Sequence, residues 1–109
     1  MEVPKPVEWL ARANSDAARA FLELRKSVKK GARIDSRVAR LCLAAAYAAI
    51  GCAECLAGCL AEGLKEGLEL EEMLEACSVA VLASGGRAVM TVYRALEILE
   101  KIRSEAGKH

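Results

Sequence analysis

The sequence has almost no surplus of charge, since 16 lysines and arginines offset 15 aspartates and glutamates to give a formal net charge of +1. Proteins that bind nucleic acid or anionic membranes electrostatically need a basic excess. The longest apolar run, residues 41–53, is also shorter than the about 20 residues that cross a bilayer. We therefore expect neither a nucleic-acid partner nor a membrane partner.

Histidine is nearly absent, because the only imidazole belongs to the last residue, His109. A histidine-assisted proton relay in a buried site is therefore not expected. The first six residues lack the basic and apolar blocks of a secretory signal peptide, so we expect a cytoplasmic protein. There the five cysteines are reduced by default, and their odd number argues against a fully paired disulfide scaffold.

Strand patterns are missing as well, because no segment alternates apolar and polar residues over the length of a strand. Apolar residues instead recur at helical spacing nearly throughout, which predicts an all-α protein. No linker or repeat is visible, so we expect a single domain over residues 1–109, a compact bundle of five or six helices. An Ala-rich helical hairpin around Gly51 is expected at its centre.

Capping residues and glycines predict where the helices begin and end. The residues that mark these boundaries are Asn14 or Ser15, Gly31, Asp35 or Ser36, Gly51, Gly67 and Gly85-Gly86. The last helix is expected to fray from Lys101 to His109. Apolar stripes predict the buried positions of the last two helices, which are Leu70, Met73, Leu74, Cys77 and Val81, then Val89, Val92, Tyr93, Leu96 and Leu99.

Hydrophobic residues make up 54% of the chain, which is more than a domain of this length needs for its own core. The surplus predicts a subunit interface, and we expect a homo-oligomer. Two cysteines outside any motif, Cys42 and Cys77, fall on apolar stripes and are expected in the core. A group of acidic residues is expected to form a solvated face, and its members are Glu62, Glu66, Glu69, Glu71, Glu72 and Glu75.

Three cysteines form the most informative pattern. Cys52, Cys55 and Cys59 are spaced so that they share one face of a helix. A Cys-x-x-Cys pair at the start of a helix also lies where the helix dipole and unpaired N–H groups stabilise a thiolate. Vicinal thiols of this kind support redox cycling or the binding of a soft metal, and both functions remain open at this point.

The motif and its surroundings resemble the carboxymuconolactone decarboxylase and alkyl hydroperoxidase D family of small helical oligomers. The resemblance covers residues 31–99, a family-like core, and implies a hydroperoxidase D-like fold, a trimer or a hexamer, and no cofactor. The segments that carry it are Asp35-Ser-Arg-Val-Ala-Arg-Leu41, Gly51-Cys-Ala-Glu-Cys55, Glu62-Gly-Leu-Lys-Glu-Gly-Leu68, Glu71-Glu72 with Glu75-Ala76, and Gly85-Gly86-Arg-Ala-Val-Met90.

The resemblance also implies roles for the cysteines. In the hydroperoxidase branch the second cysteine of the pair attacks the peroxide and the first completes a disulfide, so Cys55 is the expected nucleophile and Cys52 its partner. A thiol reductant or a redox partner protein would reset the pair. The family's glutamate and histidine fall on Arg40 and Cys59, so both of its proton-transferring groups are replaced.

Several auxiliary roles remain open. Arg40 is expected to lower the pKa of a thiol, to line a polar pocket, or to pair with an acid such as Glu54 or Glu62. Glu54 could accept protons from the thiols or raise their pKa by repulsion. Cys59 is expected as a buried third thiol or a reserve for resolving the disulfide, and the Cys52–Cys55 bond is favoured because the first turn of a helix distorts more easily than its interior.

The leading hypothesis is therefore a thiol-dependent oxidoreductase or peroxidase. One alternative is a non-catalytic oligomeric member of the same family that has lost the proton relay. A second alternative is a soft-metal site formed by Cys52, Cys55 and Cys59.

Overall fold

The computed structural model describes residues 3–107, and every regular element in that range is helical. A 3-10 turn, Lys5–Val7, precedes six α-helices. These are α1 (Glu8–Ala13), α2 (Ser15–Lys30), α3 (Ser36–Ile50), α4 (Ala53–Lys65), α5 (Leu70–Ser84) and α6 (Gly86–Ala106). The predicted all-α class is confirmed. The expectations for Met1 and Glu2 at the start of the chain and for His109 at its end lie outside the described residues.

The chain divides into two compact units, an N-terminal unit of residues 1–36 and a C-terminal unit of residues 37–109. The N-terminal unit contains α1 and α2, which contact each other. Asn14 caps α2, because its side chain accepts a hydrogen bond of 3.1 Å from the Ala17 N–H. Gly31 ends this helix with φ +79°, where a Cβ would also overlap the Ile34 carbonyl oxygen. Trp9 of α1 is 67% exposed.

The C-terminal unit contains α4, α5 and α6, each in contact with the other two, together with α3 from residue 37 onward. Small side chains form much of its core, and those with no exposed surface are Ala44, Ala48, Ala57, Ala88 and Ala95. Leu56, Leu60 and Met73 are the larger side chains buried among them. Alanine allows helix axes to approach closely, so the core depends on close backbone packing more than on bulky side chains.

The hairpin between α3 and α4 turns at Gly51, as predicted. Gly51 has φ +86°, a conformation that side chains with a Cβ rarely adopt. The N–H groups of Gly51 and Cys52 both donate to the Tyr47 carbonyl oxygen, at 3.1 and 3.2 Å. These bonds close the end of α3 and place Cys52 at the N-cap of α4.

The last two helices agree with the predicted pattern in part. On α5 the predicted Met73 and Cys77 are fully buried, and Leu70 and Val81 pack against the core while partly exposed. On α6 the prediction that Val89 and Tyr93 point inward is wrong, because they are 53% and 58% exposed. The face that packs against the neighbouring helices instead consists mostly of small residues and includes Ala88, Thr91, Ala95 and Leu99.

Two further boundaries of the last helices are settled by the structure. Gly85 has φ +60° and separates α5 from α6, so the predicted turn is confirmed. The helix then remains regular to Ala106, beyond the predicted start of fraying at Lys101. Within residues 3–107, none of the helices combines the length and the hydrophobicity that a bilayer span requires.

Candidate redox site

Cys52 and Cys55 form the centre of the site. Their sulfur atoms are bonded at 2.10 Å and their Cα atoms lie 5.3 Å apart, so the structure contains the disulfide expected from the sequence. Cys52 is the N-cap residue of α4, and its Sγ accepts a hydrogen bond of 3.3 Å from the Cys55 N–H. The first turn of α4 therefore directs an N–H group at the sulfur of Cys52, where it favours negative charge.

The two cysteines of the disulfide differ in exposure. Cys55 is exposed, whereas Cys52 is half-buried. A reagent from solvent can therefore approach Cys55 directly. Accessibility of this kind is required of a redox-active thiol and is not expected of a structural cysteine, which is usually buried.

Arg40 on α3 is buried and pairs with Glu66 at the end of α4. Its Nε donates to Glu66 Oε1 at 3.1 Å and its Nη2 donates to Glu66 Oε2 at 2.7 Å, a two-pronged arrangement. The hydrogen bond to Glu66 raises the pKa of Arg40, against the opposing effect of burial. The guanidinium therefore stays charged inside the C-terminal unit.

The acid that pairs with Arg40 differs from those named from the sequence. Glu62 forms an exposed pair with Lys65 at 3.7 Å, whereas the arginine pairs with Glu66. Glu66 is exposed, as predicted for the solvated acidic face, although it pairs with Arg40. Glu72 departs from that prediction, because it is half-buried and pairs with Arg37.

Cys59 is buried, as expected, and contacts Arg40. Arg40 Nη1 donates to Cys59 Sγ at 3.8 Å, and the thiol donates to the Arg40 carbonyl oxygen at the same distance. Arg40 and Cys59, where the resemblance of the sequence places a glutamate and a histidine, are thus in direct contact. The described bonds of the arginine lead to Cys59 and Glu66.

The two remaining cysteines have different environments. Cys77 is buried and donates to the Ala44 carbonyl oxygen at 3.7 Å. Burial, followed by the nearby Cys59, raises the pKa of the Cys77 thiol to about 11, so it stays protonated near neutral pH. The core placement expected for Cys42 is wrong, because this residue is exposed. The buried face of α3 consists of Arg40, Ala44 and Ala48, and Cys42 lies on another face.

A cleft of about 460 Å³ opens beside residues 51–55, the segment that we call the disulfide turn because it contains Cys52 and Cys55. It is lined by Gly51, Ala53, Glu54, Arg94, Glu97, Ile98 and Lys101. Glu54 was a candidate from the sequence, whereas the α6 residues were missed. Their spacing of three and four residues on one helix could have identified them as a single charged face.

The metal-binding alternative receives no support from the geometry. Across residues 3–107 there is no group of three or more histidine, cysteine or acidic side chains placed to hold a metal ion. The sulfurs of Cys52 and Cys55 are bonded to each other, and Cys59 contacts Arg40. A cation beside Cys59 opposes the binding of another cation there.

Comparison with known proteins gives one family and one fold. The model of the carboxymuconolactone decarboxylase family matches residues 15–97. A crystal structure of a Thermotoga maritima protein superposes with a TM-score of 0.76 at 24% identity, covering 94% of this chain and 89% of that one.

A second Thermotoga maritima crystal structure gives a TM-score of 0.70 at 24% identity, covering 85% of this chain and 96% of that one. It is described as a carboxymuconolactone decarboxylase family protein with a suggested part in the antioxidative response. None of the curated proteins matches this sequence. These similarities confirm the fold expected from the sequence.

Proposed function

Since the chain belongs to the carboxymuconolactone decarboxylase family, we propose that it is a thiol-dependent oxidoreductase of the hydroperoxidase D-like type. The observation that supports this most strongly is the disulfide between an exposed Cys55 and the N-cap residue Cys52. The antioxidative role suggested for the similar Thermotoga maritima protein agrees with it.

In the oxidising half-reaction, the Cys55 thiolate attacks the peroxide. The O–O bond breaks, an alcohol or water leaves, and Cys55 becomes a sulfenic acid. The Cys52 thiol then attacks the sulfur of Cys55 and releases water, which forms the disulfide that the structure contains. Cys55 has the first role because it is the more exposed of the two.

In the reducing half-reaction, a thiolate donor attacks Cys55 Sγ and the sulfur of Cys52 leaves. The leaving thiolate receives the hydrogen bond from the Cys55 N–H and the favourable field of the α4 N-terminus, which makes Cys52 a good leaving group. A second donor thiol then attacks the mixed disulfide. Cys55 is released as a thiolate, and the two donor molecules leave joined by a disulfide.

The chain carries out this chemistry without the family's proton relay. Arg40 and Cys59 bond to each other, so we assign them a structural role that joins α3 to α4. Protons are exchanged at the exposed Cys55, with Glu54, also exposed, as the neighbouring carboxylate.

The test is consumption of an alkyl hydroperoxide with dithiothreitol as donor. Cys55→Ser should lose turnover because the attacking sulfur is gone. Cys52→Ser, treated with the hydroperoxide in the absence of donor, should react once and stop at the sulfenic acid. Cys42→Ser is the matched control, because it removes another exposed cysteine outside the motif and should keep the native rate.

Two results would contradict the proposal. Native turnover in Cys55→Ser would show that another group reduces the peroxide. Complete inactivity of the native protein, with Cys55 still accessible to alkylation after reduction, would favour the non-catalytic oligomeric alternative.

A further inference from the structure

The cleft beside the disulfide turn contains charged groups of both signs. Glu54 comes from α4, and Arg94, Glu97 and Lys101 come from α6. All four are exposed. None of them takes part in the ion pairs found between residues 3 and 107. Their charges are therefore available to a ligand.

The remaining lining is apolar, and part of it belongs to the segment between the two cysteines. Ala53 is buried and Ile98 is half-buried, so both present carbon surface inside the cleft. Ala53 and Glu54 are the two residues between Cys52 and Cys55. A ligand held in this cleft therefore lies against the segment that contains the disulfide.

The four charged side chains of the cleft indicate which kind of ligand it can bind. Two carboxylates and two cations give no net field that would favour a simple anion or a simple cation. A ligand that has one group of each sign can satisfy both, with its carboxylate toward Arg94 or Lys101 and its ammonium toward Glu54 or Glu97. Its apolar part would contact Ile98.

We propose that this cleft binds the reducing thiol, and that this thiol bears both an ammonium and a carboxylate group, as cysteine and short cysteinyl peptides do. The inference rests on the function proposed above and specifies its electron donor. Two donor thiols are oxidised to one disulfide while the Cys52–Cys55 bond is reduced to two thiols, so two electrons and two protons pass to the protein.

The experiment follows reduction of the disulfide form in the absence of peroxide, with four small thiols. Cysteine has both charges, cysteamine only the ammonium, 3-mercaptopropionate only the carboxylate, and 2-mercaptoethanol neither. Each rate is divided by the thiolate concentration, because the four thiols differ in acidity. It is then corrected for the dependence of nucleophilicity on thiol pKa. Exposed charge contacts each contribute a few-fold, so cysteine should react about tenfold faster than 2-mercaptoethanol, with the other two between them.

Substitutions of the two cations in the cleft test whether these residues cause the preference among the four thiols. Arg94→Gln combined with Lys101→Gln should reduce the rates for cysteine and 3-mercaptopropionate and leave 2-mercaptoethanol unchanged. Arg103→Gln is the matched control, because it removes a cation from the same helix outside the cleft lining. Equal corrected rates for all four thiols, or the same loss in Arg103→Gln, would overturn the proposal.

The two proposals can fail separately. The thiol series contains no peroxide, so it measures the donor site even in a protein that does not reduce peroxides. Peroxide consumption with dithiothreitol, which has neither charged group, tests the catalytic proposal without requiring recognition in the cleft.

Discussion

Arg40 shows how a single buried charge can be accommodated in a small core. The residue is 7% exposed, and an isolated charge at such a site would be strongly unfavourable. Glu66 supplies the opposite charge, and the sulfur of Cys59 accepts a further hydrogen bond. The arginine and the cysteine therefore stabilise each other's placement.

A substitution at Glu66 tests this pairing. Glu66→Gln leaves the Arg40 guanidinium buried beside a neutral partner, so the free energy of unfolding should fall by about 1–3 kcal/mol. The lower part of this range is expected because the Glu66 side chain is 46% exposed. Urea unfolding followed by circular dichroism measures the change.

Glu62→Gln is the matched control for that measurement. Its exposed pair with Lys65 should contribute less than about 1 kcal/mol. An equal decrease in the free energy of unfolding in the two variants would show that the bond to Arg40 stabilises the protein no more than an exposed ion pair does.

At Gly63, α4 packs closely against α5 and α3. A Cβ at this position would overlap the sulfur of Met73 on α5 and would lie 3.5 Å from Cγ of Arg40 on α3. Gly58 is in the same helix, is exposed, and would place a Cβ in open space. Position 58 therefore has room for a side chain, whereas position 63 does not.

This contrast gives a prediction for two alanine variants. Gly63→Ala should lower the free energy of unfolding by about 1–3 kcal/mol, because Met73 has no exposed surface and cannot move without disturbing the core. Gly58→Ala should raise it by about 0.5–1 kcal/mol through helix propensity alone. Thermal and urea unfolding of both proteins measure the difference, and stabilisation by Gly63→Ala would contradict the packing described for α4.

The sequence predicts the helices better than it predicts their faces. Helix ends depend on local groups, such as the side chain of Asn14 or the positive φ of Gly51, and these are recognisable from neighbouring residues. Leu99 was predicted on the buried face of α6, but Ala88 and Ala95 were missed, because hydrophobicity favours Val89 and Tyr93 whereas close packing selects alanine.

In the candidate site, too, contacts between residues close in sequence were predicted and contacts between distant residues were not. The Cys52–Cys55 pair was predictable because its members are separated by one turn of the same helix. The partner of Arg40 and the α6 side of the cleft were not, because both depend on contacts between residues far apart in the chain.

At the scale of the whole molecule, apolar surface remains uncovered. On α5 and α6 of the C-terminal unit the exposed large apolar residues are Val79, Leu82, Val89, Met90, Tyr93 and Ile102, and Leu82 is 89% exposed. Exposed apolar surface of this kind commonly marks a protein interface. It agrees with the homo-oligomer expected from the hydrophobic content of the chain.

We therefore expect multi-angle light scattering at micromolar concentration to give a mass of three or six chains. Leu82→Glu should lower that mass by placing a charge in the apolar surface, while the helical content stays native. Ser15→Glu, at an exposed polar position of α2 outside this apolar surface, is the control and should leave the mass unchanged. A native protein that is cleanly monomeric would contradict the expectation.

The few aromatic side chains are divided between the two units, and this has an optical consequence. Trp9, the only indole, belongs to the N-terminal unit, whereas Tyr47 and Tyr93 belong to the C-terminal unit. The Tyr47 carbonyl accepts the N–H of Cys52. Tryptophan emission thus monitors the N-terminal unit, and tyrosine emission monitors the unit that contains the Cys52–Cys55 disulfide.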